Sequence, residues 1–295
     1  MHQSEVVVFG AAHVDLEARL EGPFLEGTSN PVKVQRTLGG VGANVALASC
    51  RNTATSLFTI TGSDVDGNAI ASTLRSEGVE VDIMLSSASS GFYLALLDQQ
   101  GNLHHGLANT ALMELADSNT LSASLAKCEG TSIIAFDCNL SVEAISTICT
   151  YTFADNTRPL LAAVTVSPVK TNKLKAVAEK LDFLFGNREE LAVLTATSID
   201  LPLVELAKRA HSMGITTVIA TDSNHPLVVV NASSCHSINI PATTTGQNGS
   251  VNGAGDTLAG AVIAELAKGS DVVTAIEQQG LPAAMVLLRT GKPEI

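Results

Sequence analysis

The strongest constraint on this chain is a rhythm. Short apolar runs, rich in Val, Ile and Phe, alternate with stretches spaced for helices. The first run, Val6-Val7-Val8-Phe9, is unbroken by polar residues and ends at Gly10. Such runs signal strands buried on both faces, as in a parallel sheet. Further strand-like runs at 55–61, 132–137, 160–166, 181–185, 215–220 and 226–231 are interleaved with helix-compatible stretches at 43–50, 68–78, 141–150, 171–180, 187–195, 202–213 and 257–268. Alternation of this kind predicts an α/β domain around a mainly parallel sheet, with ligands at the carboxyl ends of its strands.

Two segments break the rhythm. Residues 15–38 contain Gly22, Pro23, Gly27 and Pro31, and alternate apolar with polar residues at Val32-Lys33-Val34-Gln35. Residues 91–97 and 103–108 flank Asp98-Gln99-Gln100-Gly101-Asn102, which reads as a hairpin turn. Both are expected to leave the main sheet and to form a small β lid from about 13–38 and 90–108, on a single domain of 1–295.

Charge narrows the partners. Lys and Arg total 17 against 29 Asp and Glu, a formal net charge of -12, so the molecular field repels phosphate backbones and anionic lipid headgroups. Aromatic residues make up 3% with no Trp, which removes the stacking platform of single-strand binders. Neither nucleic acid nor a membrane is an expected partner, and an anionic ligand requires a local site built from backbone amides. The five cysteines are too widely spaced for a zinc ribbon or a redox pair and read as reduced core thiols. No uncharged apolar stretch approaches the ~20 residues of a membrane span, and no basic leader precedes Val6. The cytoplasm is the expected compartment.

Two common phosphate motifs are absent. Gly291-Lys292 is followed by Pro293, so it is no P-loop, and both Gly40-Val41-Gly42 and Gly253-Ala254-Gly255 lack the third glycine of a dinucleotide fingerprint. Asp64-Val65-Asp66-Gly67-Asn68 mimics a calcium loop, but Arg75 stands where its glutamate belongs. The sharpest feature is Asn252-Gly253-Ala254-Gly255-Asp256. Small residues at a helix start let several backbone amides converge on an anion. An Asp beside them can accept a proton from a hydroxyl in line with a phosphoryl group, or it can simply cap the helix. A second dense turn, Gly39-Gly40-Val41-Gly42-Ala43-Asn44, leads into the helix near residue 43.

As a pair, these two segments resemble the signatures of the ribokinase-like PfkB family of carbohydrate and nucleoside kinases. The resemblance runs through essentially the whole chain. Gly10-Ala11-Ala12-His13-Val14-Asp15, Thr28-Ser29-Asn30-Pro31, Tyr93 to Asp98, Asp137-Cys138-Asn139-Leu140, Val166-Ser167 with Lys170, and Asn187-Arg188-Glu189-Glu190 follow the order of its pseudouridine kinase branch. The resemblance implies a three-layer core with a β lid, a nucleoside or sugar as acceptor, and ATP with Mg²⁺ as donor. In that branch the reaction phosphorylates the 5'-hydroxyl of pseudouridine; another nucleoside, ribose or a related sugar is the alternative acceptor, and a noncatalytic sugar or nucleotide binder is a further alternative.

The resemblance also implies roles. Asp256 is the general base, and the amides of Gly253, Ala254 and Gly255 form the anion hole. His13, Asp15, Gly39, Gly40, Asn44, Asn139 and Lys170 contact the acceptor. Asn187, Thr221, Gly253 and Gly255 bind ATP, with Glu190 supporting the metal through water. A homodimer joined through exposed lid edges is expected. The chain departs from the pattern in five places, the first being His13, where the branch usually has an asparagine. Ser250-Val251 stands where an Asp-Thr pair is usual, so no potassium dependence is predicted. Asp222-Ser223 replaces a glycine that lines the nucleotide site, while Asn109 replaces an acid and Ala43 an arginine.

Overall fold

A computed structural model describes residues 4–151, 158–242 and 252–295; the Ser250-Val251 departure lies outside these residues. The chain runs through β1 (Val6–Phe9) into an antiparallel pair, β2 (His13–Leu20) and β3 (Val32–Gly39), that leaves the main sheet. It returns through α1 (Val41–Cys50), β4 (Thr55–Gly62), α2 (Val65–Ser76) and β5 (Glu80–Ser86). A second excursion, β6 (Phe92–Leu97) and β7 (Leu103–Asn109), precedes α3 (Ser118–Leu125), β8 (Ile133–Asp137), α4 (Val142–Thr150) and β9 (Leu160–Val164). Next come α5 (Pro168–Thr171), β10 (Phe183–Asn187), α6 (Arg188–Leu194), α7 (Leu203–His211), β11 (Thr217–Asp222), β12 (His225–Asn231) and β13 (Cys235–Ile238). Helices α8 (Ala254–Ala267), α9 (Val272–Ala275) and α10 (Leu281–Thr290) follow.

The main sheet has the order β13-β12-β11-β10-β9-β8-β1-β4-β5 and is parallel except at β12 and β13. β1 sits between β4 and β8, and its alternation feeds two cores. Val7 and Phe9 join Phe58, Ile134 and Phe136 on one face, under Leu121, Ile145, Leu191 and Leu206. Val6 and Val8 join Leu57, Ile133 and Ala135 on the other, under Val45, Ile70, Leu74 and Val262. This is the ribokinase-like α/β fold, helix layers on both faces of a mostly parallel sheet. Both excursions pair into one small sheet, β3-β2-β6-β7, in which β2 and β6 run parallel.

Several elements differ from the reading of the sequence. The helix expected at 171–180 is one turn, α5, followed by 3₁₀ turns at Asn172–Ala176 and Ala178–Lys180. Thr171, Leu174, Val177 and Ala178 of this stretch are buried. β5 and β13 lack a clear strand signature in the sequence; each is a sheet edge, β5 mostly part-exposed and β13 mostly exposed, so no long apolar run marks it. The cysteines are all free, and Cys128, Cys138 and Cys149 are buried, but Cys235 is exposed on the edge strand β13 and is no core thiol. Among the described residues no helix is long and apolar enough to cross a membrane.

Candidate active site

The carboxyl ends of β1, β8, β9, β10 and β11 converge, with β1 and β8 marking the point where the connections turn to opposite sides. A single buried carboxylate organises this point. Asp137, the last residue of β8, accepts the amides of Ala11 at 2.8 Å and Gly42 at 2.9 Å on Oδ2, and the amide of Asn139 at 2.8 Å on Oδ1. It therefore pins the end of β1, the start of α1 and the loop after β8 together. Burial pushes its carboxyl up, and these amides pull it back.

Helices α1 and α8 approach closely because Gly260 faces α1: a Cβ there would lie 2.3 Å from the Val45 carbonyl oxygen. That approach brings Asn44 Nδ2 within 2.8 Å of Asp256 Oδ2, which accepts its hydrogen bond. α8 begins at Ala254 rather than at 257, so Asp256 lies inside its first turn and Gly253 takes the cap. Gly253 holds a left-handed φ of 89°, and a Cβ would meet Asn44 Nδ2 at 2.8 Å. The amides of Ala254 and Gly255 have no acceptor within the helix and form the positive end of its dipole. Burial pushes the Asp256 carboxyl up to about 6, against the Asn44 hydrogen bond and the Lys292 charge, which lower it. A base in this range is half-ionised near pH 6 and available at neutral pH.

On the small sheet, β2 carries His13 and Asp15. Asp15 is 7% exposed, and His13 Nδ1 lies 3.1 Å from its Oδ1 off hydrogen-bond geometry. Its Oδ2 accepts a hydrogen bond from Lys292 Nζ at 2.7 Å. Burial pushes this carboxyl up, but the His13 and Lys292 contacts outweigh it and hold it below its ordinary range. Gly39 is paired with His13 across β2 and β3, and a Cβ on it would lie 2.1 Å from Asp15 Oδ1. Gly40 caps α1 with a φ of 102°. Nearby, the part-buried Lys170 donates to Asn139 Oδ1 at 2.6 Å and to Thr110 Oγ1 at 3.0 Å, and burial lowers its ammonium.

The other side of Asp256 opens into a cavity of about 340 Å³, lined among others by Thr165, Asn187, Glu190, Thr221, Gly253 and Gly255. Asn187 and Glu190 form a reciprocal capping box at the start of α6: the Glu190 amide donates to Asn187 Oδ1 at 3.0 Å and the Asn187 amide to Glu190 Oε2 at 2.8 Å. Thr165 Oγ1 also donates to Glu190 Oε2. Burial pushes the Glu190 carboxyl up. Thr221 lies beside Asn187 in the sheet register. Just beyond it, Asp222 pairs with Arg188 at 2.9 Å, and Ser223 adopts a left-handed φ of 53°, the conformation glycine tolerates best.

The geometry thus brings Asp256, Gly253, Ala254, Gly255 and Asn44 together, sets Asp15, His13, Gly39 and Gly40 on the small-sheet side, and places Asn187, Glu190 and Thr221 around the cavity. Lys170 and Asn139 bond to each other. Two residues of the site carried no signal strong enough in the sequence. Asp137 stands in the Asp137-Cys138-Asn139-Leu140 motif with no mark of its own, and Lys292 follows Gly291 in a dipeptide that Pro293 disqualifies as a P-loop. Ala43 and Asn109, the departures nearest the acceptor side, are respectively fully buried in α1 and exposed at the end of β7.

The cleft sets the Asp256 carboxyl and a helix N-terminus between a carboxylate-bearing sheet and a polar cavity, an arrangement compatible with phosphoryl transfer to a hydroxyl. The model of the pfkB family carbohydrate kinases matches residues 3–292, and the chain belongs to that family. It is 28% identical to the pseudouridine kinase of Escherichia coli K12, over 86% of this chain and 80% of that protein. It is 24% identical to the guanosine-inosine kinase of Exiguobacterium acetylicum, over 97% of this chain and 95% of the relative. The crystal structure of Anopheles gambiae adenosine kinase, solved with a diadenosine tetraphosphate, superposes with a TM-score of 0.84 at 19% identity, covering both chains completely.

Proposed function

We propose that this enzyme transfers the γ-phosphoryl group of ATP to the 5'-hydroxyl of pseudouridine, yielding pseudouridine 5'-phosphate and ADP. One observation carries the reading: Asp256, held by Asn44 at 2.8 Å, stands at the junction of the Gly253–Gly255 turn with the cavity of about 340 Å³. Asp256 takes the proton as the hydroxyl oxygen attacks phosphorus. The bond from phosphorus to the β–γ bridging oxygen breaks, and its electron pair leaves with ADP. The amides of Ala254 and Gly255 stabilise the charge on the transferring group. Asp15 and Asn44 hold the ribose hydroxyls, with His13, Asn139 and Lys170 toward the base.

The donor set also suits MgATP. Both hydrogen bonds to Glu190 fall on Oε2, so Oε1 is available toward the cavity through water. A hard cation of this kind keeps several waters and sits on the phosphates. When bound, Mg²⁺ neutralises charge on the phosphates. The small sheet acts as a lid that excludes water from the phosphoryl path. All seven residues of its edge strand β7 are exposed, and such an open edge favours a homodimer paired through it, testable by sedimentation. The enzyme works in the cytoplasm.

The identity to the guanosine-inosine kinase favours a second reading, another nucleoside as acceptor. A coupled ADP-release assay with MgATP tests both against pseudouridine, uridine, guanosine, inosine, adenosine, cytidine and ribose. Selective turnover of pseudouridine supports the proposal. Turnover of another acceptor alone discards the substrate and keeps the reaction.

A further inference from the structure

Lys292 is the least expected side chain near the site. It follows α10, whose C-cap Gly291 has a φ of 76° and turns the chain toward β3. Beyond it the backbone pairs with that strand: the Leu38 amide donates to the Pro293 carbonyl at 2.9 Å, Thr37 bridges Glu294, and the Ile295 amide reaches the Arg36 carbonyl at 3.4 Å. The segment thereby ties the core helix α10 to a strand of the small sheet. The Lys292 side chain is 6% exposed, an unusual burial for an ammonium group, and its Nζ lies 2.7 Å from Asp15 Oδ2, itself in a side chain 10% exposed. Its stem passes Gly253, where a Cβ would lie 3.1 Å from Lys292 Cε.

Building on the kinase reading above, we propose that Lys292 is a positioning residue for the acceptor: it fixes the charge and direction of the Asp15 carboxylate that receives the acceptor hydroxyls. A carboxylate offers about four lone-pair sites, so Asp15 can hold Lys292 and still accept from a diol. Without the ammonium group, a buried carboxylate left with only the His13 contact must protonate or swing toward water. A protonated or displaced Asp15 no longer serves vicinal hydroxyls. The cation also balances Asp15 without salt or a bound ion, so this half of the site is ready before any substrate arrives.

Steady-state kinetics at pH 8, above the range in which Asp256 titrates, test the inference with Lys292→Met, Asp15→Asn and the double variant. Lys292→Met should raise the acceptor KM about tenfold or more, with kcat changed less than about threefold and the KM for ATP unchanged. In the Asp15→Asn background the same substitution should add less than about twofold, because its effect passes through Asp15. If the methionine variant does not fold, Lys292→Gln, a shorter polar side chain without the charge, gives the same readout. An unchanged acceptor KM, or an equal increase with and without the Asp15 carboxylate, overturns the inference and leaves the kinase reading standing. A wild-type protein that turns over none of the acceptors overturns both.

Discussion

The two halves of the cleft are built by different means. On the small-sheet side, charged groups are crowded and paired: Asp15 lies against His13 and Lys292, and Gly39 leaves room for its carboxylate and for nothing larger. On the cavity side, the side chains are mostly neutral or occupied with helix caps, and the converging donors are the backbone amides of the first turn of α8. Asp256 stands between them, bonded to Asn44. The contrast agrees with the ligands proposed for each half. Vicinal hydroxyls need a fixed acceptor of defined charge, whereas a polyphosphate needs converging donors and room.

The largest expected effect lies at the junction. Asp256→Ala should lower kcat about a thousandfold in the ADP-release assay while both ligands still bind, since a positioned base contributes about 10²–10⁴. With the carboxyl pushed up to about 6, the wild-type kcat/KM should fall about tenfold per pH unit below that point, because only the ionised form accepts a proton. Asp256→Asn should show no such limb on its residual rate. It should also be more heat-stable than wild type above about pH 6: a carboxyl whose folded pKa exceeds its ordinary 3.8 makes the folded state lose stability as pH rises between the two values. The gap in melting temperature should close below pH 4.

Damage to one half alone should separate the two kinetic constants. Gly39→Ala places a methyl group against the Asp15 carboxylate, so the acceptor KM should rise about tenfold while the KM for ATP stays unchanged. Asp137→Asn attacks the frame both halves share. It replaces an oxygen that accepts two buried amides, and each unsatisfied donor costs about 1–3 kcal/mol in urea denaturation. A change confined to the KM of one substrate would show that Asp137 serves only one half. The smallest effect belongs to Ser223→Gly, which relieves a left-handed φ of 53° and should stabilise by up to about 1 kcal/mol. Its acceptor KM should not move; a change there would break the division of the cleft.

Much of this protein is written locally in its sequence. Unbroken runs such as Val6–Phe9 specify strands buried on both faces, because no solvated face is compatible with them. The turns at Gly39–Gly42 and Gly253–Gly255 announce helix starts where a backbone must come close to something, and Asp256 follows from its place in one of them. The edge strands β5 and β13 and the 3₁₀ turns after α5 escaped such a reading, since their form depends on what packs beside them rather than on their own pattern. The same reason hid Asp137 and Lys292. An aspartate ending an apolar run and a lysine beside a proline are ordinary in a chain, and 126 residues separate Asp137 from the Ala11 amide it accepts, 277 separate Lys292 from Asp15. Only the folded sheet, with β1 beside β8 and the segment after α10 paired to β3, brings those groups within bonding distance and out of water, where a single charge decides the state of its neighbour.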